Sequence, residues 1–341
     1  VKAVVLVGGE GTRLRPLTYF TVKAMVPVLN KPFIEYIIRH LSHHNINEII
    51  LAIGYKPDSI TGYFSDESQL YAKLIYSVET DPLGTAGAIK KAEAYIIDNT
   101  VFAMNGDVFT DLNFTEMLNF HKNRGAKVTI ALTPVEDPTR FGVVETDSNQ
   151  RVTRFVEKPK REQVICNMIN AGVYIIETEV LKRIPEGKRC MFEHDIFPSL
   201  LAEGEPVFGY TTDAYWIDMG TPEKYLQLNG DLLSGKSTQV DFKETDIRID
   251  KQSNIHPQSS LIGPILIDKH CDVGKGVQLK GPVVIGAGSS IHNGAIIENS
   301  VIWQNATIGE QAVLKDCIVA SNSCIDSNTH MQGAVIAQAK N

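Results

Sequence analysis

The chain has 341 residues, 43% hydrophobic and 21% charged, which is the balance of a folded globular protein and long enough for two domains. A formal net charge of −7 speaks against a general nucleic-acid binder, which presents a basic surface, but leaves room for a small phosphorylated ligand met by local positive charge. Five cysteines without a C-x-x-C pair suit a reduced, cytoplasmic setting, and no apolar run approaches the ~18 residues of a membrane span.

Val4–Val7 reads as a strand that stops at Gly8 and Gly9, and it leads into the following loop too directly to be read as a signal peptide. The loop carries Gly11, Thr12, Arg13 and Arg15, so it has little side-chain bulk and fixed positive charge. That combination suits an anion brought against backbone N–H groups. Two common phosphate fingerprints fail here. A G-x-G-x-x-G starting at Gly9 needs a glycine where Leu14 stands, and a P-loop needs Gly-Lys-Ser/Thr where the chain has Gly11-Thr12-Arg13.

Phe33, Ile34, Ile37, Ile38 and Leu41 recur at helical spacing and predict an amphipathic helix. His43 and His44 at its end read as a solvated face favoured by the helix dipole. Ile49–Ile53, Val101–Met104 and Lys127–Leu132 read as strands, and Phe114 to Arg124 as a helix stopped by Gly125. Val143–Thr146 and Val152–Val156 flank the turn-rich "DSNQ" and predict a hairpin. Thr221 and Pro222 are an N-cap and first-turn pair for a helix that follows Asp218. Strands alternating with helices imply a mostly parallel sheet covered on both faces, with an antiparallel insertion. Ligands of such sheets sit beyond the carboxyl ends of the strands, where the glycine loop and Asp107 of "NGD" both fall.

From Ile255 the rule changes. Ile255, Leu261, Ile267, Val273, Leu279, Ile285, Ile291 and Ile297 fall on a strict six-residue step, and after a one-residue slip Ile302, Ile308 and Leu314 continue it. A hexapeptide period predicts a parallel β-helix whose aliphatic residues stack in a narrow prism, with Gly274, Gly286 and Gly309 turning the corners and roughly four coils over 255–335. The expected domains are therefore 1–235, a linker over 236–250, and the repeat region over 251–341. His292 in the repeats raises the alternative of acyl transfer, but nothing else there suggests an acyl carrier site.

At this point separate motifs carry a resemblance. "GGEGTRLRPLT…VKAMVPVLNKP", "DPLGTAGAIK", "NGDVFTDL", "FGVVETD", "FVEKP", "INAGVYI" and "YWIDMGTPEKY" stand in the order found in sugar-1-phosphate nucleotidyltransferases. The chain resembles that family over nearly its whole length, and within it most resembles mannose-1-phosphate guanylyltransferases, with glucose-1-phosphate thymidylyl- and uridylyltransferases close behind. The resemblance implies a Rossmann-like mixed sheet followed by a left-handed parallel β-helix. It implies attack by a sugar phosphate on the α-phosphate of a nucleoside triphosphate, with Mg²⁺ as cofactor. The same resemblance assigns Arg13 and Lys23 to catalysis, and Val7, Gly8, Gly9, Gly11, Thr12, Gly84 and Thr85 to the nucleotide. Gly142, Glu157, Lys158, Asn170 and Gly172 go to the sugar phosphate, and Asp107 and Asp218 to the metal. One departure stands out: the family usually writes Pro-Lys-Pro around the lysine, and this chain has Val22-Lys23-Ala24. Glu157 and Lys158, adjacent on a strand, are expected on opposite faces unless the strand bends, with Pro159 the candidate for the bend. The tail is expected to build a homo-oligomer, and a chain ended after Gly235 to keep its chemistry. A rival reading from another class is a non-catalytic subunit that binds an NDP-sugar and regulates a partner.

Overall fold

The computed structural model describes residues 1–54, 56–64 and 72–337. Their contacts divide the chain into two compact units, Val1–Gly9 with Ile34–Trp216, and Glu10–Phe33 with Ile217–Asn341.

The first unit is built on a mixed sheet. Its strands are β1 (Lys2–Leu6), β2 (Glu48–Ile53), β3 (Lys73–Val78), β4 (Thr100–Asn105), β5 (Val128–Pro134), β6 (Gly142–Thr146), β7 (Val152–Glu157), β8 (Met168–Glu177) and β9 (Val207–Thr211). They lie in the order β7-β6-β8-β4-β1-β2-β3, with β5 pairing β8 and β9 pairing β5. The run β4-β1-β2-β3 is parallel, as the alternating pattern predicts. β6 and β7 form the expected antiparallel hairpin. The long strand β8 was not foreseen. It runs antiparallel to β4, β5 and β6 and joins the parallel half of the sheet to the hairpin.

Helix α1 (Phe33–His43) follows from the apolar spacing of its sequence. Helix α2 (Gly84–Ala92) packs its small face, Ala86, Ala88, Ile89 and Ala92, into the core beneath Val4 and Ile50. Helix α3 (Phe114–Arg124) is capped at both ends, by the Asn113 side chain accepting from the Glu116 N–H and by Gly125 in the left-handed conformation. Burying each of the large core side chains contributes about 1.5–3 kcal/mol, which fixes strand register because a slip of one residue would turn them outward. Of the two histidines at the end of α1, His43 meets the expectation of a solvated face and His44 does not. His43 is exposed, whereas His44 lies on the Phe114 ring at 5.4 Å and its Nδ1 is 2.9 Å from the Thr115 hydroxyl. Burial pulls the His44 pKa down, with His43 adding to the effect and Glu116 opposing it.

The second unit contains helix α4 (Pro222–Leu233), the loop over 10–33 and the repeat region. Short parallel strands stack the repeats into three columns. Ile249, Ile267, Ile285, Ile302, Val319 and Ile336 form one. Ile255, Val273, Ile291, Ile308 and Ile325 form another, and Leu261, Leu279, Ile297, Leu314 and Met331 the third. This is the β-helix that the six-residue step predicts. The slip also has its reason. Ile267 pairs with Ile285 and Ile285 with Ile302, so the coil shortens by one residue, and the pairing shifts between Lys280 and Val283 to absorb it.

The corner glycines need a correction. Gly274, Gly286 and Gly309 do not reverse the backbone; a Cβ at Gly286 or Gly309 would come within 2.5 Å of a backbone nitrogen in the next coil. The left-handed turns are made two residues on, by Gly276, Gly288 and Gln311, and elsewhere by Asn305, Asn322 and Asn328.

Candidate functional site

In the second unit the loop after Gly9 is held by what the fingerprints excluded. Leu14 is fully buried and Leu17 nearly so, and they anchor two 3₁₀ turns, Thr12–Leu14 and Leu17–Tyr19. Arg13, in the middle of the first turn, stays on the surface, its side chain 59% exposed. Gly11 is left-handed, with φ of 64°, and a Cβ there would sit 3.0 Å from the Cβ of Lys23. The Thr18 hydroxyl donates to the Gly11 carbonyl at 2.8 Å and closes the loop.

Lys23 opens the 3₁₀ turn Lys23–Met25 and is 9% exposed, flanked by the buried Val22 and Ala24. The missing prolines are thus replaced by burial: apolar neighbours and the close approach of Gly11 fix the stem of the lysine. Its Nζ lies 3.9 Å from Asp218 Oδ1, and the Arg13 guanidinium lies 3.9 Å from Asp218 Oδ2. The structure therefore brings Arg13, Lys23 and Asp218 together around one carboxylate. Gly220 completes the arrangement, because a side chain there would meet both Arg13 and Asp218 at 3.1 Å. Helix α4 starts just beyond, with the Thr221 hydroxyl accepting from the Lys224 N–H at 3.4 Å.

In the first unit Val7 is buried and donates to the Ala52 carbonyl at 2.9 Å, after which Gly8 and Gly9 are exposed. Nothing stands within 4 Å of a Cβ built on Gly9, so its backbone is open. Asp107 lies in the turn after β4, whose Gly106 packs against the end of β1 and donates to the Leu6 carbonyl at 2.9 Å. Gly84 starts α2 at φ of 75°, pressed on the Cys190 carbonyl, and Thr85 follows it.

Glu157 and Lys158 end β7. Glu157 is paired across the ladder with Gly142, where a Cβ would lie 2.8 Å from the carboxylate, so the glycine makes room for it. Lys158 has a φ of 46°. That left-handed residue bends the strand at the lysine itself rather than at Pro159, and Nζ stands 3.6 Å from Glu157 Oε1. Burial pushes the Glu157 pKa up, and Lys158 pulls against it. Asn170, Ala171 and Gly172 form an irregularity in β8, where the register shifts between Asn170 and Tyr174. Asn170 Oδ1 accepts from the Gly172 N–H at 2.9 Å, and its Nδ2 donates to the Tyr174 hydroxyl at 2.8 Å.

Sequence reasoning missed Glu193, which ties these pieces together. The Thr85 hydroxyl donates to Glu193 Oε2 at 2.8 Å, and the Tyr174 hydroxyl donates to Oε1 at 3.4 Å. A chain of polar contacts thus runs from Thr85 through Glu193 and Tyr174 to Asn170. Tyr174 is fully buried, and burial together with the Glu193 charge drives its pKa well up. The sequence around Glu193, "CMFEHDIF", has no motif character that would have flagged it.

Among the described residues no group of three or more His, Cys, Asp or Glu gathers to hold a metal by protein ligands alone. Single carboxylates such as Asp107 and Asp218 are the oxygen donors that suit Mg²⁺, which takes few protein ligands and completes its shell with phosphate oxygens and water.

Comparison with known proteins identifies the family. Residues 2–235 match the family described as nucleotidyl transferase, and residues 261–340 match the GMPPB C-terminal domain. The chain is 37% identical to a mannose-1-phosphate guanylyltransferase of Mycobacterium tuberculosis, over 83% of this chain and 79% of that one. It is 32% identical to a UTP--glucose-1-phosphate uridylyltransferase of Synechocystis, over 87% and 81% respectively. Among solved structures it is similar to HddC from Yersinia pseudotuberculosis complexed with GMP-PN, at 30% identity and a TM-score of 0.59, over 67% of this chain and 97% of that one. With the match spanning the sheet, the glycine loop and both aspartates, the chain belongs to the nucleotidyl transferase family of enzymes.

Proposed function

We propose that the chain joins a nucleoside triphosphate to a sugar 1-phosphate, giving an NDP-sugar and pyrophosphate, and that the pair is GTP and mannose 1-phosphate. The observation that carries this reading is Asp218 set between Arg13 and the buried Lys23 at 3.9 Å each. Two anions have to meet in the reaction, so the protein must supply fixed cations and alignment more than proton transfer. Arg13 and Lys23 neutralise the triphosphate, and backbone N–H groups of Gly8, Gly9, Gly11 and Thr12, with Val7 behind them and Gly9 the most open, receive its oxygens. Gly84 and Thr85 face the base. Glu157 accepts from sugar hydroxyls, Lys158 holds the sugar phosphate, and Gly142, Asn170 and Gly172 let backbone approach the ring. Asp107 and Asp218 hold Mg²⁺, which when bound neutralises charge on the phosphates.

Residues 1–235 are the catalytic domain in this reading, and 236–250 lead into the repeat domain of 251–341, the first strand of the β-helix already lying at Ile247–Ile249; the repeats assemble a homo-oligomer in the cytoplasm. No helix among the described residues is long and apolar enough to cross a membrane. The choice of guanine and mannose rests on the mannose-1-phosphate guanylyltransferase relative, with the GMP-PN complex of HddC bearing on guanine alone; the Synechocystis relative makes UTP and glucose 1-phosphate the second choice. Four nucleoside triphosphates tested against mannose and glucose 1-phosphates, read by pyrophosphate release, decide the matter. GTP with mannose 1-phosphate should be fastest, EDTA should stop the reaction and Mg²⁺ restore it. No release with any pair would overturn the reading in favour of a regulatory subunit.

A further inference from the structure

Between Val28 and Lys31 the second unit contains a tight turn in an unusual state. Pro27–Val28 pairs antiparallel with Lys31–Pro32, and the two residues between them, Leu29 and Asn30, have φ of 44° and 65°. Asparagine tolerates that conformation; leucine rarely adopts it, and then only where neighbours hold it. The holding groups come from α4 and the β-helix. The Leu29 N–H donates to Asn229 Oδ1 at 3.0 Å, and Asn229, 1% exposed, is fixed in turn by donating to the Tyr225 carbonyl at 2.9 Å. The Tyr225 hydroxyl donates to the Pro27 carbonyl at 2.5 Å and accepts from Trp303 Nε1 at 2.9 Å. Asn30 Nδ2 donates to the carbonyl of Ile285, an inward residue of the β-helix. Burial drives the Tyr225 pKa upward, so the hydroxyl keeps its proton and its donor role across the working pH range.

The turn lies next to Lys23. The Val26 N–H donates to the Lys23 carbonyl at 3.2 Å, and the Phe33 N–H donates to the Val26 carbonyl at 3.0 Å, so the lysine's turn and the hairpin share one hydrogen-bonded frame. We propose that Trp303, Tyr225 and Asn229 are positioning residues for the nucleotide half of the reaction, with the β-helix setting the place of Lys23 through the 27–32 hairpin. This rests on the reading of Lys23 given above. It also changes the expectation for a shortened chain: one ended after Gly235 loses Trp303 and the Ile285 carbonyl, and with them two anchors of the hairpin.

The test is Tyr225→Phe in the full chain, which keeps the ring and removes the hydroxyl, with Trp303→Phe as the milder change. Amide hydrogen exchange without substrate should accelerate about tenfold over residues 22–30 and stay unchanged in Lys2–Leu6 and Thr100–Asn105, because the bonds to Pro27 and Trp303 are both lost locally. Steady-state rates should show kcat/KM for the nucleotide falling about tenfold, with the sugar-phosphate KM within about twofold of wild type. Trp303→Phe should move both readouts in the same direction by less. Unchanged exchange at 22–30, or equal losses for both substrates, would overturn the proposal. A wild-type chain inactive with every substrate pair would overturn the reading of Lys23 instead, and the exchange measurement tells the two failures apart.

Discussion

Around Lys23 the chain buries nearly all of a lysine, 11% exposed at its side chain, against Gly11 and beside Asp218. Around Lys158 the side chain stands 69% exposed at the end of a strand, on a left-handed backbone, with Glu157 3.6 Å away. The two settings teach different things about a cation. A buried ammonium has already lost its conformational freedom and much of its water, so its field is strong and aimed before any ligand arrives. An exposed one is screened by solvent, holds its partner weakly and must be ordered by the ligand it meets. Substitutions in the first region should therefore reach deeper into turnover than those in the second.

Asp218→Asn is the sharpest way to break the contrast. It removes the carboxylate shared by Arg13 and Lys23, and turnover should fall by about a hundredfold or more, because a buried charge is left uncompensated where phosphates are handled. Pyrophosphate release checks it, with Asp107→Asn as the companion. A loss under tenfold would mean that the buried arrangement is incidental to the chemistry. Next in size, Arg13→Ala should raise the KM for the nucleotide and Lys158→Ala the KM for the sugar phosphate, each with about 1–2 kcal/mol lost from transition-state stabilisation, below the roughly 2.7 kcal/mol that a hundredfold represents. Losses that appear on the same substrate would erase the distinction between the regions.

The smallest effect concerns Glu157, whose pKa burial raises above its ordinary value. The folded state then binds a proton more readily than the unfolded chain does. The charged carboxylate costs stability above the raised pKa, and that cost disappears as pH falls through the folded pKa toward the ordinary one. Glu157→Gln should accordingly raise Tm at pH 7.5 by about 1–2 °C, with the difference closing toward pH 4. Thermal scans at several pH values check the sign; a gap that widens on acidification would contradict it.

Much of this was legible in the residues. The six-residue step located the inward columns of the β-helix, and even its slip at Ile302 marks a real shortening of the coil. The glycine stop at Gly125 ended α3 at Arg124 as expected because that signal is local. What stayed hidden is what depends on partners distant in the chain. β8 was missed because Met168–Glu177 gains its register only from β4, β5 and β6. Glu193 carries no motif, and its importance comes from Thr85 and Tyr174 reaching it from elsewhere. The replacement of flanking prolines by burial at Lys23 could not be read from Val22 and Ala24 alone, since it needs Gly11 folded back upon the lysine stem.

The distant pairing of the opening loop with the end of the chain has a consequence for synthesis. Leu29 finds Asn229 two hundred residues later, and Asn30 finds the Ile285 carbonyl 255 residues later. At about 5–20 residues per second, a ribosome takes roughly 13–50 seconds to make the stretch from Asn30 to Ile285. During that interval the hairpin and Lys23 have been made but lack the groups that hold them. The segment that carries the signature at the head of the chain is thus among the last to be locked in place.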